Sequence, residues 1–250
     1  MQKRGVESIK PYNENEDKGK QISRMFDTIS PAYDLMNRII SMGQDRRWRR
    51  SAIKEIAGCK DGDILDIATG TGDMAFMIYD MILPHAITGC DISEGMLDMA
   101  RKKAAAAGLD KKITFCNGDC SALPFKDAAF DAVTVAFGVR NFKDLKLGLS
   151  EISRVLKPGG KVSILELTVP ENPLYRLGYD IYTKTVIPLL GRIIAKDFMA
   201  YEYLGESIHA MPQGKRMVAL MESAGFAGCR YRYMTFGACA VYTGITPSTP

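Results

Sequence analysis

Between residues 63 and 167 the chain alternates two hydrophobic patterns. Short, nearly uninterrupted apolar runs occupy 64–68, 86–90, 113–116, 132–136 and 161–167, whereas 74–82, 95–107 and 144–156 return apolar residues every three or four positions. The first pattern predicts strands covered on both faces and the second predicts amphipathic helices. Their alternation predicts βαβ units around a parallel sheet. Upstream, apolar residues from Met25 to Ile56 fall at helical spacing, broken at Ser30-Pro31 and Gly43, which predicts two or three helices. Residues 1–20 are polar and charged and read as a frayed arm. Downstream, 173–211 reads as a helical, tyrosine-rich, apolar insertion. A helix over 213–225 follows, then strands over 229–236 and 238–243 that turn near Gly237 as an antiparallel pair. The expected organisation is one α/β domain over 1–250. A helical lid at 21–56 and the insertion at 173–211 would cover the sheet's C-terminal edge, where open α/β folds place their ligands.

Composition narrows the partners. The chain has 250 residues, 46% hydrophobic and 25% charged, which suits an ordinary globular domain with a sizeable core. A net charge of +4 is too small to make nucleic acid an expected partner. The densest basic patch, Arg46-Arg47-Trp48-Arg49-Arg50, reads as a solvated helix face, with contact to anionic lipid headgroups as its alternative. Six cysteines without a CxxC pair, and only two histidines, argue for reduced thiols in a cytoplasmic protein and against a disulfide framework or a metal site. Residues 1–20 lack the apolar core of a secretory signal, and no apolar stretch reaches the ~18 residues that span a bilayer. The most lipophilic segment, 186–195, is short and carries Arg192, so it could lie on a membrane without crossing it.

The candidate chemistry begins at Leu65-Asp66-Ile67-Ala68-Thr69-Gly70-Thr71-Gly72-Asp73, a strand running into a glycine turn and then a helix. Glycines let the backbone turn sharply and approach a ligand closely. Alone, this segment also fits a relaxed dinucleotide fingerprint with Asp91 near the ribose, so a dehydrogenase stays open at this point. Three acids favour S-adenosylmethionine. Asp66 before the turn suits a ligand carrying an ammonium and a sulfonium and would repel a pyrophosphate. Asp91 ends the next strand, where it can accept both ribose hydroxyls, and Asp119 follows the third, where it can accept from an adenine amino group.

The Asp66–Asp73 loop, Asp119 with the following Leu123-Pro124-Phe125, and Arg154-Val155-Leu156-Lys157-Pro158-Gly159-Gly160 resemble the class I methyltransferases. That resemblance implies a Rossmann-like α/β fold whose seven-stranded, mostly parallel sheet has its last strand inserted antiparallel and helices on both faces. The Lys157–Gly160 turn would lead helix into strand without a catalytic role. The candidate cofactor contacts are Asp66, Gly70, Thr71, Gly72, Asp91, Ile92, Asp119, Cys120 and Ala136. A finer resemblance spans about residues 21 to 245. Phe26-Asp27, Tyr33-Asp34, Met36-Asn37, Ser41, Trp48 and Phe137-Gly138-Val139-Arg140-Asn141 look like the demethylmenaquinone and 2-methoxy-6-polyprenyl-1,4-benzoquinol methyltransferases. The chain departs from that pattern at Gln44-Asp45 and Tyr242, where the family often has histidines, and at Leu167-Thr168, where it often has Phe-Ser.

The resemblance implies methyl transfer from S-adenosylmethionine to a ring carbon beside a quinol hydroxyl, with demethylmenaquinol favoured by the compact layout lacking a transit peptide. Another small lipophilic or phenolic acceptor is the alternative. Positioning would supply much of the acceleration, and the protein must also manage a phenol proton and the resulting anion. Arg140 is the candidate to stabilise the phenolate and Asn141 to orient it, because a guanidinium stays charged and offers several donors. Tyr33 and Asp34 are candidates for the substrate side, and the base is left open among Asp34, Asp73, Tyr33 and a water. A polyprenyl tail would run along 174–211, with Tyr175, Tyr179, Tyr182, Ile187, Leu189 and Ile193 as wall candidates, and peripheral contact with the inner face of the cell membrane is expected there. Self-association as a homo-oligomer is left open.

Overall fold

The computed structural model describes residues 5–190, 192 and 197–248. Its centre is a seven-stranded sheet in the order β3-β2-β1-β4-β5-β7-β6, with β1 at Asp63–Ile67, β2 at Ala86–Asp91, β3 at Ile113–Asn117, β4 at Phe130–Ala136, β5 at Leu156–Leu167, β6 at Ala227–Met234 and β7 at Cys239–Ile245. The first five pair in parallel, while β7 runs antiparallel to both β5 and β6. Apolar runs make these strands because both faces are covered: Ile64, Leu65, Ile87, Val133 and Val135 are all fully buried. Chain order reverses at β1, whose two neighbours are β2 and β4, so the crevice of an open α/β fold falls there.

Helices cover both faces. On one side α6 (Leu145–Val155) and α10 (Lys215–Ser223) bury Leu149, Ile152, Met217 and Met221 against the sheet. On the other, α3 (Asp45–Glu55) and α4 (Asp73–Ile82) bury Trp48, Ile53, Met74 and Ile78. Helix starts carry the caps that short polar side chains supply: Ser93 accepts from Met96 N at the start of α5 (Glu94–Ala106), and Asp144 accepts from Leu147 N at α6.

A third cluster forms the roof. In it α1 (Lys18–Ile29) and α2 (Tyr33–Ile40) set Ile22, Met25, Ile29 and Met36 against the insertion, made of α7 (Pro173–Ile181), a π turn at Tyr182–Val186, α8 (Ile187–Leu190) and α9 (Phe198–Ala210). Ile187, Ala200, Tyr201 and Tyr203 are the insertion's contributions. Lid and insertion therefore pack on each other. Ile193, an expected wall residue, lies outside the described residues.

Two local expectations differ from the structure. The segment read as a frayed arm is anchored to the fold at points along it: Val6 is buried, and Lys18 Nζ donates to the carbonyls of Val6, Arg140 and Phe142. Burial draws the Lys18 pKa down to about 8. The Gln21 amide supplies further partners, accepting from the backbone of Tyr12 and Asn13 and donating to the carbonyls of Asn13 and Glu16. A polar segment is ordered here because buried side chains meet its backbone groups. The second difference is at Lys157–Gly160, which lies within β5 as an irregularity in its pairing with β4. Gly159 adopts φ +76°, and Thr246 at the end of β7 exchanges hydrogen bonds with Gly159 and Gly160.

Candidate active site

The turn between β1 and α4 is left-handed at Ala68, Gly70 and Gly72. Asp91 fixes it, since its Oδ2 accepts from Gly70 N at 2.8 Å while Oδ1 accepts from Ser93 N at 2.9 Å. Asp66 lies deeper, fully buried, accepting from Thr69 Oγ1 and Thr134 Oγ1, both at 2.6 Å. Burial raises the Asp66 pKa to about 6 even though both hydroxyls oppose that shift. Above this turn lies a cleft of about 690 Å³. Gly70, Asp91, Ile92, Asp119 and Cys120 form its floor and walls, and Gly19, Ile22, Phe26 and Tyr33 of the lid roof it.

Four of the residues expected around a cofactor do not line this cleft. Asp66 is beneath it. Thr71 turns to the lid, donating to Asp34 Oδ1 at 2.5 Å. Gly72 is a packing residue, since a Cβ there would come within 2.9 Å of Phe76 and 3.1 Å of Phe115. Ala136 is buried at the end of β4, one residue short of Phe137, which does reach the cleft. Sequence reasoning missed Gly118 and Gly138 as cleft residues, although Gly138 stands in the quoted Phe137–Asn141 motif and Gly118 directly precedes Asp119. A Cβ on Gly138 would fall 2.4 Å from Ala68 Cβ, so glycine there lets the β4 loop approach the β1 turn. Of the roof residues, Phe26 and Tyr33 stand in the quoted motifs, whereas Gly19 and Ile22 carried no signal, because their contact with the cleft depends on how the lid docks.

Phe137, in the left-handed region at φ +60°, also lines a second and larger cavity of about 820 Å³. Its walls are mostly apolar, including Trp48, Leu167, Tyr179, Tyr182, Ile187 and Leu204. Arg140 reaches this cavity while holding a buried pair with Glu166: Nη1 lies 2.8 Å from Oε1 and also donates to the Phe137 carbonyl. Its Nε is buried and has no hydrogen-bond partner among the described residues. Burial works against the Arg140 charge, but the Glu166 carboxylate outweighs it and holds the guanidinium pKa above its ordinary value. A small neighbouring pocket brings Tyr33, Arg140 and Asn141 together, and Asn141 Oδ1 accepts from Tyr203 OH at 3.1 Å. Burial raises the Tyr33 pKa against a hydrogen bond with Asn37, so that phenol stays protonated near neutrality.

Asp34 and Asp73 face away from both cavities and share Lys103, whose Nζ lies 2.6 and 2.9 Å from them. Among the described residues the only carboxylate lining the larger cavity is Asp45, which is buried and accepts from Ser41 Oγ at 3.0 Å. Sequence reasoning noted Asp45 only as a departure from a family pattern. Tyr242, the other departure, is buried in the core with its hydroxyl accepting from Gly214 N. Among the described residues no group of three His, Cys, Asp or Glu could hold a metal ion.

Comparison with known proteins agrees with this architecture. Demethylmenaquinone methyltransferase of Bacteroides fragilis is 47% identical over 237 residues, 95% of this chain and 97% of that protein. The ubiquinone/menaquinone biosynthesis C-methyltransferase UbiE of Geobacter sulfurreducens is 45% identical over 91% of this chain and 89% of its own length. Among solved structures, the putative methyltransferase bound to the Haloferax volcanii Trm112 activator superposes with a TM-score of 0.65 at 17% identity, covering 89% of this chain and 97% of that one. Haemonchus contortus phosphoethanolamine N-methyltransferase 2, solved with S-adenosyl-L-methionine, gives 0.59 at 16% identity, over 80% of this chain and 53% of its own. These two likenesses are of fold. The model of the ubiE/COQ5 methyltransferase family matches residues 13–246, and the chain belongs to that family.

Proposed function

We propose that this chain methylates a ring carbon of a polyprenylated quinol, with demethylmenaquinol as its acceptor ahead of the benzoquinol of the ubiquinone pathway. Family membership makes it an S-adenosylmethionine-dependent C-methyltransferase of menaquinone and ubiquinone biosynthesis. The preference for the naphthoquinol rests on relatives in Bacteroides fragilis and Thermus thermophilus, 47% and 45% identical, that carry the name demethylmenaquinone methyltransferase. The observation that carries the reading is that Phe137 is a wall of both an acid-edged cleft and a larger apolar cavity.

The cleft suits the cofactor. Asp91 offers its carboxylate for ribose hydroxyls, Asp119 and Cys120 close the adenine end, and the buried Asp66 charge lies under the cationic end. When bound there, S-adenosylmethionine supplies an electrophilic methyl carbon on a sulfonium. The protein's own work is on the acceptor. Asp45 takes the hydroxyl proton of the quinol, leaving the electron pair on oxygen to enrich the adjacent ring carbon. Arg140 lines the same cavity and offers its guanidinium charge to the resulting anion, and Tyr33 and Asn141 orient the ring between the cavities. Phe137, Trp48 and Leu204 keep water from the reacting face.

The tail runs along the insertion, where Leu174, Leu177 and Ile181 of α7 are exposed, and this face rests on a membrane surface. No helix among the described residues is long and apolar enough to cross a membrane. The test is methyl transfer from labelled S-adenosylmethionine to reduced demethylmenaquinone, run beside the benzoquinol precursor. Faster transfer to the naphthoquinol supports the reading. Transfer to neither, with cofactor binding intact, overturns it in favour of another phenolic acceptor.

A further inference from the structure

A groove of about 1480 Å³ runs along the outer face of α3 to the corner between β6 and β7. It lies outside the two cavities described above but shares Met42, Gln44, Trp48 and Thr235 with the larger one, so it opens at that cavity's mouth. The wall between them is fixed by Trp48 Nε1, which donates to Thr235 Oγ1 at 2.8 Å.

The groove is cationic. Arg47, Arg50 and Lys54 fall three and four residues apart on one exposed face of α3, and Arg232 closes the far side from β6. Among the described residues no acid lines it, and the side chains of Arg47, Arg50 and Lys54 make no hydrogen bond or ion pair. Arg232 is held in place by Ser51 Oγ at 2.8 Å and Glu55 Oε1 at 3.4 Å. Unpaired cations on a plain solvated face need no neighbours of a particular kind. These cations have apolar ones.

Met42 and Phe236, at 75% and 71% exposure, stand at the groove's rim. Thr235 and Phe236 are both left-handed, at φ +45° and +56°, a conformation that costs on the order of 1 kcal/mol or more for such residues. The exposed Phe236 ring stacks on Tyr175, centroids 4.6 Å apart, and so joins the corner to α7. The exposed leucines of α7 continue the apolar rim. A cationic floor, a projecting apolar rim and the mouth of a lipophilic cavity therefore meet on one surface, an arrangement that complements the boundary between anionic headgroups and acyl chains.

We propose that this groove binds the phosphate of an anionic phospholipid in a bilayer. Arg47, Arg50 and Lys54 contact the headgroup layer, while Met42, Phe236 and α7 enter the acyl boundary. The protein is thereby seated with its substrate cavity open to the membrane, where a polyprenyl acceptor dissolves. This site deepens the membrane contact proposed above and rests on it.

The experiment uses the full chain with vesicles of phosphatidylcholine alone or mixed with phosphatidylglycerol. Wild-type protein should co-sediment with the mixed vesicles far more strongly, and added salt should weaken that binding. The triple variant Arg47→Gln/Arg50→Gln/Lys54→Gln should lose roughly 100-fold in affinity for the mixed vesicles, which corresponds to about 1 kcal/mol per cationic side chain. Phe236→Asn, which tolerates the left-handed backbone, should weaken binding to both vesicle types. In parallel, transfer to a tail-less quinol in solution should be unchanged in the triple variant, while transfer to a long-chain quinol in mixed vesicles falls. Equal binding of the triple variant and wild type to mixed vesicles would overturn the proposal, as would binding abolished by millimolar inorganic phosphate at constant ionic strength, which would mark a free-phosphate site. Failure of the tail-less quinol assay in wild type would instead strike the quinol reading, so the two failures are distinguishable.

Discussion

The ammonium of Lys103 on α5 lies 2.6 Å from Asp34 Oδ2 on α2 and also contacts Asp73 at the start of α4. Thr71 of the glycine turn donates to the other oxygen of Asp34, so one network ties the lid to the cleft it roofs. All three charged groups are about one-third exposed, which limits the strength of the tie. Asp34→Asn should weaken cofactor binding about threefold to tenfold and speed proteolysis within residues 18–45, with little change in global stability. Cofactor titration and limited proteolysis would check this, and an unchanged cleavage rate would show that the lid is held by packing alone.

Asp66 sets a pH dependence. Its folded pKa of about 6 lies above the unfolded value of 3.8, so between those values the folded state binds more protons. Its contribution is fully present below about pH 4 and is lost as pH rises through 6, a swing of about 3 kcal/mol at 1.36 kcal/mol per unit. Asp66→Asn should remove that swing. Urea unfolding of cofactor-free protein at several pH values from 4 to 7, taken as the difference between wild type and variant, isolates it from other carboxylates.

Asp45→Asn should lower quinol turnover by about 100-fold or more at neutral pH, within the range a general base supplies, while cofactor affinity holds. The deficit should narrow as pH approaches the ordinary phenol value near 10, where the acceptor ionises unaided. A loss independent of pH would assign Asp45 a structural role beside Ser41.

The pair of Arg140 and Glu166 separates stability from chemistry. Glu166→Gln leaves a buried guanidinium without its counter-charge and should cost about 3 kcal/mol or more in denaturant unfolding. Arg140→Lys keeps a charge but removes Nε, and should cut turnover of the quinol with cofactor affinity unchanged. Wild-type turnover in Arg140→Lys would remove the arginine from the mechanism.

Gly138→Ala adds a Cβ 2.4 Å from that of Ala68, whose backbone is itself left-handed. The loop after β4 must shift, costing about 1–3 kcal/mol of stability and weakening cofactor binding together. Calorimetry and cofactor titration on the same variant would check both.

The order of sheet elements was legible because each buried strand must be apolar along its length. The pattern over 64–68, 86–90 and 132–136 matches β1, β2 and β4 to within a residue or two. Local chemistry hid the rest. A segment of Asn, Glu, Asp and Lys reads as solvated arm, yet Gln21 and Lys18 meet its backbone from inside the fold. Lys157-Pro158-Gly159-Gly160 reads as a turn, yet Thr246 closes it into β5 from nearly ninety positions away.

For the site, the sequence by itself determined the strand-loop-helix glycine turn and the acids at or near the C-terminal ends of three successive strands. Those features are local, because a glycine turn and an acid at a strand's end are set by neighbours along the chain. Motif resemblance added the family and with it the quinol chemistry. Only the tertiary structure decided which side chains share a cavity. Asp34 and Asp45 are eleven residues apart on the neighbouring helices α2 and α3, and nothing local distinguishes their prospects as a base. Packing turns Asp34 of α2 onto Lys103 and buries Asp45 of α3 beside Trp48 in the apolar cavity, because each helix can present only one face to the core.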